Sequence, residues 1–180
     1  MKIKEGARQR FSVAEVKPVS KPSEGFHAYK EFSNGGRIEM MDGYTRKSDH
    51  KDLIAIAQDL AKQGKIVQIT TNSHFKSEAY KRVFGALVGT AYENKCPDLI
   101  IDGVFYEYES YCPPFKRVKI SNMISKGLKQ SSRIIINNNK GASHRRIRRN
   151  IFNRTVVEKQ NIDEVWAYEK GKTYLLYKKQ

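Results

Sequence analysis

The stretch "CPDLIIDGVFYEYES", residues 96–110, decides how the chain is read. Two short runs of β-branched and aromatic residues flank Asp102-Gly103. That pair favours the two-residue turn of a β-hairpin, because both positions tolerate positive φ. The turn predicts a register, with Ile101 opposite Val104, Ile100 opposite Phe105, Leu99 opposite Tyr106 and Asp98 opposite Glu107. Residues opposed in this way hold their Cβ atoms about 4.5–5.5 Å apart. Strand side chains alternate, so Glu109 shares the face of Glu107. Asp98, Glu107 and Glu109 are therefore expected as one acidic cluster, while Asp102 serves the turn. Ile100 and Phe105 lie on the same face, so the acids do not look simply into water.

Like charges opposed across a sheet destabilise it. A divalent cation, a neighbouring lysine or a raised carboxyl pKa must offset them. Mg²⁺ takes carboxylate oxygens together with water and phosphate. Held there, such an ion activates water and stabilises the charge that builds on a phosphodiester. The plainer alternative is an amphipathic strand, with Tyr106 and Tyr108 packed inside and the glutamates in solvent.

On the N-terminal side, Leu53, Ile56, Ala57 and Leu60 fall at helical spacing between an N-cap at Ser48 or Asp49 and a stop at Gly64. "KIVQITT" (65–71) reads as a strand. Residues 73–95 stay open, with a helix starting at Ser77 as one reading. Beyond the hairpin come a helix over "KISNMISKGLKQ" (119–130) and a strand at "RIIINN" (133–138). A basic amphipathic helix over "SHRRIRRNIFNRTVVEK" (143–159) follows, and then a terminal hairpin turning at Lys170-Gly171. This order predicts an α/β fold: a mixed central sheet with flanking helices, built on helix, three strands, helix and strand, plus an extra helix and a C-terminal hairpin. Residues 1–36, with "KPVSKPSEG" and "SNGG", predict a leader or linker with little regular structure. Residues 37–180 are left as the domain.

The 180 residues carry 34 Lys and Arg against 19 Asp and Glu, a net charge of +15. Such a field draws polyanions, through counterion release from phosphates. Two clusters concentrate it: Lys116, Arg117 and Lys119, just past the acids, and Arg145, Arg148 and Arg149, opposite Ile147 and Ile151 on the basic helix. These are the candidate phosphate contacts; the plain reading of each is a solvated cationic face. His144 is either a general acid or an ordinary surface residue. Cys96 and Cys112 suit two free thiols better than a disulfide framework or a zinc site. No apolar run approaches the roughly 18 residues that span a bilayer, and residues 1–20 lack the apolar core of a signal peptide. A cytoplasmic protein with no membrane partner is expected.

"PD", an acid-x-acid on the next strand, a preceding helix and a following helix and strand together resemble the PD-(D/E)xK nuclease superfamily, whose core is restriction-endonuclease-like. Within it, "CPDLIIDGVFYEYES" followed by "NMISKGLKQSSRIIINN" is similar to the tRNA-nuclease C-terminal domains of contact-dependent growth inhibition toxins. It is also similar to related proteins of bacterial mobile elements. The resemblance covers residues 36–178. It implies that Asp98 and Glu107 bind Mg²⁺ or Mn²⁺ and that the activity is hydrolysis of tRNA or other RNA in preference to DNA. It also implies an acidic immunity or inhibitor protein as partner. The third motif position is normally a lysine that orients the attacking water; here it is Glu109. That departure leaves the positive charge to be found elsewhere, with Lys126, Lys129 and Gln130 on the following helix as candidates. An acid of the first helix often completes such a site, and Asp52 and Asp59 both qualify. Two other functions fit the same residues: a nucleic-acid-binding protein that has lost catalysis, and an adaptor that grips an acidic protein through its arginine helix.

Overall fold

The computed structural model describes residues 21–111 and 113–180. Eight strands form one mixed sheet and lie in chain order across it. They are β1 (Phe26–Glu31), β2 (Arg37–Met41), β3 (Ile66–Ile69), β4 (Leu99–Ile101), β5 (Val104–Glu109), β6 (Arg133–Asn137), β7 (Glu164–Glu169) and β8 (Lys172–Lys178). Helices α1 (His50–Ala61), α2 (Glu78–Phe84), α3 (Val118–Gly127) and α4 (His144–Phe152) connect or follow them. Strand β4 runs antiparallel to both its neighbours, β3 and β5, and β6 joins β5 in parallel. The expected helix, three strands, helix and strand are thus present, with α2 inserted between β3 and β4.

The hairpin has the expected register: Leu99 pairs with Tyr106, Ile100 with Phe105 and Ile101 with Val104. Asp102 and Gly103 take φ of 49° and 81°, as a two-residue turn between right-twisted strands requires. Asp102 also ties the turn to β3, accepting from Ile66 N at 2.9 Å and pairing with Lys65 Nζ at 2.9 Å. Its role is structural.

The sheet begins earlier than residue 37. Residues 26–31, inside the stretch read as a leader, form β1 and pair antiparallel with β2. Composition obscured this strand because only Phe26 of its six residues is buried. An edge strand with one anchor carries almost no hydrophobic pattern. Residues 1–20 of that stretch lie outside the described residues, as does Cys112.

Alternation along the strands sorts the core into layers. Leu53, Ile56, Ala57 and Leu60 of α1 pack with Val67, Leu99, Tyr106, Tyr108 and Ile135 on one face. On the other, Tyr80, Val83 and Phe84 of α2 meet Ile100. Beside them, Ile120 and Ile124 of α3 and Ile147 and Ile151 of α4 meet Ile134 and Ile136. Glu107 and Glu109 rise from β5 opposite Ile134 and Ile136, in the seam between the α2 cluster and the α3–α4 cluster. No helix among the described residues is long and apolar enough to cross a membrane.

Candidate functional site

Asp98 stands one residue before β4, and its backbone faces β5 beyond the last ladder pair. Asp98 N donates to Glu107 Oε2 at 3.3 Å, while Asp98 Oδ2 accepts from Tyr108 N at 3.4 Å. The Glu107 carboxylate is thus bonded to the backbone of Asp98, and the Asp98 carboxylate to the backbone of Tyr108, the residue after Glu107. Glu107 is buried and Glu109 is 1% exposed. One oxygen of Glu109, Oε2, accepts from Lys126 Nζ at 2.8 Å. The other, Oε1, is buried and has no hydrogen-bond partner among the described residues. An unpaired buried carboxylate oxygen costs free energy, so this atom marks a place where a further group belongs.

The electrostatics follow from the crowding. Burial, and then the charges of Asp98 and Glu109, push the Glu107 carboxyl up to about 9, against a smaller opposing effect of Lys47. Glu109 is raised mainly by burial, which the bond from Lys126 only partly offsets; Asp98 and Asp49 add to the rise. Lys126 is in turn raised by its bond to Glu109. Of the offsets open to opposed acids, the protein uses two: neighbouring lysines and a proton held on Glu107.

The lysines come from opposite sides. Lys126 projects from α3, which approaches β5 closely at Gly127. A Cβ there would lie 2.8 Å from Ile134 Cγ2 and 3.2 Å from Glu109 Cγ, so glycine is what lets the helix sit this low. Lys47 reaches in from the β2–α1 connection to Asp98 Oδ1 at 2.7 Å. Lys129 and Gln130, the other candidates, lie just past the end of α3. Lys129 lines a cavity of about 440 Å³ with Tyr92, Ser125 and Arg154, and Gln130 Oε1 is buried without a hydrogen-bond partner among the described residues. Lys126 lies in the last turn of α3, whereas Lys129 follows the end of the helix, which is capped at Leu128.

Neither helical acid proposed from the sequence reaches the cluster. Asp52 accepts from Tyr108 Oη at 2.6 Å and from Asn137 Nδ2 at 3.1 Å, on the α1 face of the sheet. Asp59 accepts from both Thr173 N and Thr173 Oγ1. The acid that comes closest in effect is Asp49, at the start of α1, whose charge is felt by Glu109 and Lys126. Its side chain accepts from Ser110 Oγ at 3.0 Å rather than capping its own helix. Read from sequence it was only a cap. Lys47 had no signal at all, because it sits in a loop whose course spacing does not predict.

The basic groups lie where the sequence put them. Lys116 and Arg117 are exposed and Lys119 half-buried at the start of α3, and Arg145, Arg148 and Arg149 are exposed on α4. Arg148 Nε also donates to Leu176 O at 3.2 Å, which holds the helix against β8. His144 is bonded through Nε2 to Glu169 Oε1 at 2.6 Å, which ties the start of α4 to the end of β7.

No three His, Cys, Asp or Glu side chains among the described residues stand as a ready ligand set for a metal ion. The donors nonetheless suit a hard divalent cation in kind: carboxylate oxygens from Asp98 and Glu107, with Glu109 two residues further along β5. Comparison with family models finds no match, and comparison with curated proteins finds none either. Among solved structures the chain is similar to one described as a CdiA-CT/CdiI toxin and immunity complex from Burkholderia pseudomallei. The identity is 20%, over 77% of this chain and 93% of that one, with a TM-score of 0.41. A likeness at that level decides neither fold nor function.

Proposed function

We propose that the protein is a metal-dependent nuclease that hydrolyses phosphodiester bonds. RNA, and tRNA in particular, is the favoured substrate, in keeping with a toxin-like domain that acts in the cytoplasm and has an acidic cognate inhibitor. The observation that carries the reading is the convergence of Asp98, Glu107 and Glu109 at one seam, with the buried Glu109 Oε1 unpaired. Asp98 and Glu107 would hold Mg²⁺ or Mn²⁺, which supplies water activation and charge stabilisation on the phosphate when bound. Binding the cation would displace the proton that burial and the neighbouring acids favour on Glu107. Glu109 would take the proton of the attacking water once the site opens to solvent. Lys126, fixed by Glu109 Oε2, supplies the positive charge that the third motif residue does not. Lys116, Arg117, Lys119, Arg145, Arg148 and Arg149 grip flanking phosphates.

The test is cleavage of tRNA and DNA by the purified chain with Mg²⁺ or with EDTA. Metal-dependent cleavage is expected, reduced at least about 10²- to 10⁴-fold in Asp98→Ala/Glu107→Ala. Equal activity of wild type and the double variant would overturn the site. A second reading draws on Lys47, which already neutralises Asp98: a nucleic-acid-binding protein without catalysis. It predicts salt-sensitive binding that persists in EDTA, no cleavage, and no heat on titration with Mn²⁺.

A further inference from the structure

The loop leaving β3 runs along the segment that bears Asp98 and then carries two aromatic rings at the surface. Thr70 N donates to Asp98 O at 3.0 Å, and Thr70 Oγ1 bonds to Pro97 O. Three residues on, Ser73 O accepts from Cys96 Sγ at 3.4 Å. These contacts lay residues 70–73 along the segment that bears Asp98. His74, Phe75 and Lys76 come next, and all three are exposed. Two residues of extended chain reach at most about 7 Å, so Phe75 remains close to the point where Ser73 meets Cys96.

The loop is held in place. His74 O accepts from Ser77 N at 2.8 Å, His74 Nδ1 accepts from Lys76 N at 3.3 Å, and Ser77 Oγ caps α2 through Tyr80 N at 3.1 Å. The His74 and Phe75 rings lie 4.8 Å apart at 32°, and Lys76 Nζ stands 5.5 Å from the Phe75 centroid. Phe75 is 45% exposed and belongs to no core cluster; α2 is anchored instead by Tyr80, Val83 and Phe84. Packing gives this ring pair no reason to be there.

We infer that His74 and Phe75 form a stacking platform for an unpaired nucleobase whose neighbouring phosphate lies at the acidic cluster. The substrate class is thus single-stranded or looped nucleic acid rather than duplex. The placement rests on the nuclease reading, but the stacking itself does not require catalysis. Every base has a π-face, and aromatic side chains bind it with little regard to sequence. In a duplex those faces are already occupied by neighbouring bases. The +15 charge attracts any phosphate backbone alike, so discrimination between strands needs a contact of this kind. Lys76 Nζ stands over the Phe75 ring; an incoming base would displace it from that face toward the adjoining phosphate.

The experiment uses the full chain in EDTA with a single-stranded RNA carrying 2-aminopurine, and the same strand as a duplex. Binding should quench 2-aminopurine fluorescence on the single strand. Phe75→Ala should abolish the quench and weaken single-strand binding about 5- to 150-fold, as the loss of one stacked base predicts, with duplex affinity unchanged. Phe75→Tyr should restore both readouts, and thermal unfolding should match wild type because the ring is outside the core. Equal quench and affinity in wild type and Phe75→Ala would overturn the proposal and leave the rings free for a protein partner. Equal loss on the duplex would overturn it too. Cleavage with Mg²⁺ is scored separately. Quench without cleavage sinks the nuclease reading alone, and cleavage without quench sinks the platform alone.

Discussion

Glu107 and Glu164 are both strand glutamates of one sheet, and both are 8% exposed, yet they are pushed in opposite directions. For Glu164, burial alone would raise the carboxyl, but bonds from Tyr106 Oη at 2.7 Å, Trp166 Nε1 at 3.0 Å and Lys178 Nζ at 3.0 Å bring it below its ordinary value. For Glu107, burial is compounded by Asp98 and Glu109, and the carboxyl rises to about 9. Equal depth therefore says nothing about role; the neighbours decide. Glu164 is a completed hydrogen-bond pin joining β5, β7 and β8. Glu107 sits in a group whose charges are only partly offset, which is the condition expected of a site that awaits a ligand.

The largest effect that tests this contrast is on catalysis. Lys126→Ala should lower kcat about 10²- to 10³-fold, the usual loss for one charge-stabilising group, while Lys129→Ala leaves it unchanged. Activity is compared per folded molecule, because the variant leaves the buried Glu109 without its lysine. Equal losses from both lysines would mean that the bond of Lys126 to Glu109 gives it no special part in the site.

The next effect is a pH dependence of opposite sign at the two glutamates. Between its ordinary value of 4.5 and about 9, Glu107 keeps a proton when folded that the unfolded chain has lost. Its effect on stability therefore worsens as pH rises through that window, by at most about 1.4 kcal/mol per pH unit. Glu107→Gln copies the protonated form, so in EDTA its Tm advantage over wild type should widen from pH 5 to pH 8. A gap that stays constant or narrows would contradict the assignment. Glu164, with a lowered carboxyl, contributes stability that is present above 4.5 and lost on acidification through its folded value. The smallest effect comes from Glu164→Gln, which removes the charge behind three bonds and should cost about 1–3 kcal/mol. Urea unfolding measures that cost, and cleavage per folded molecule should stay at the wild-type level.

The sequence by itself determined the hairpin, and with it the acids' company. Asp102-Gly103 admits one turn, and strand alternation then places Tyr106 and Tyr108 on one face and Glu107 and Glu109 on the other. Helix spacing likewise identified the packed side of α1 and α4. These are local properties, set by period and turn chemistry within a few residues. Tertiary structure alone decided the rest. It brought Asp49 rather than Asp52 or Asp59 near the acids, chose Lys126 over Lys129, and delivered Lys47 from a loop 51 residues away in sequence from Asp98. It also recruited residues 26–31 as an edge strand and laid the segment that leads to His74 and Phe75 along residues 96–98. Each of these depends on how far separate elements slide and rotate when their apolar faces pack, and no periodicity in the chain encodes that.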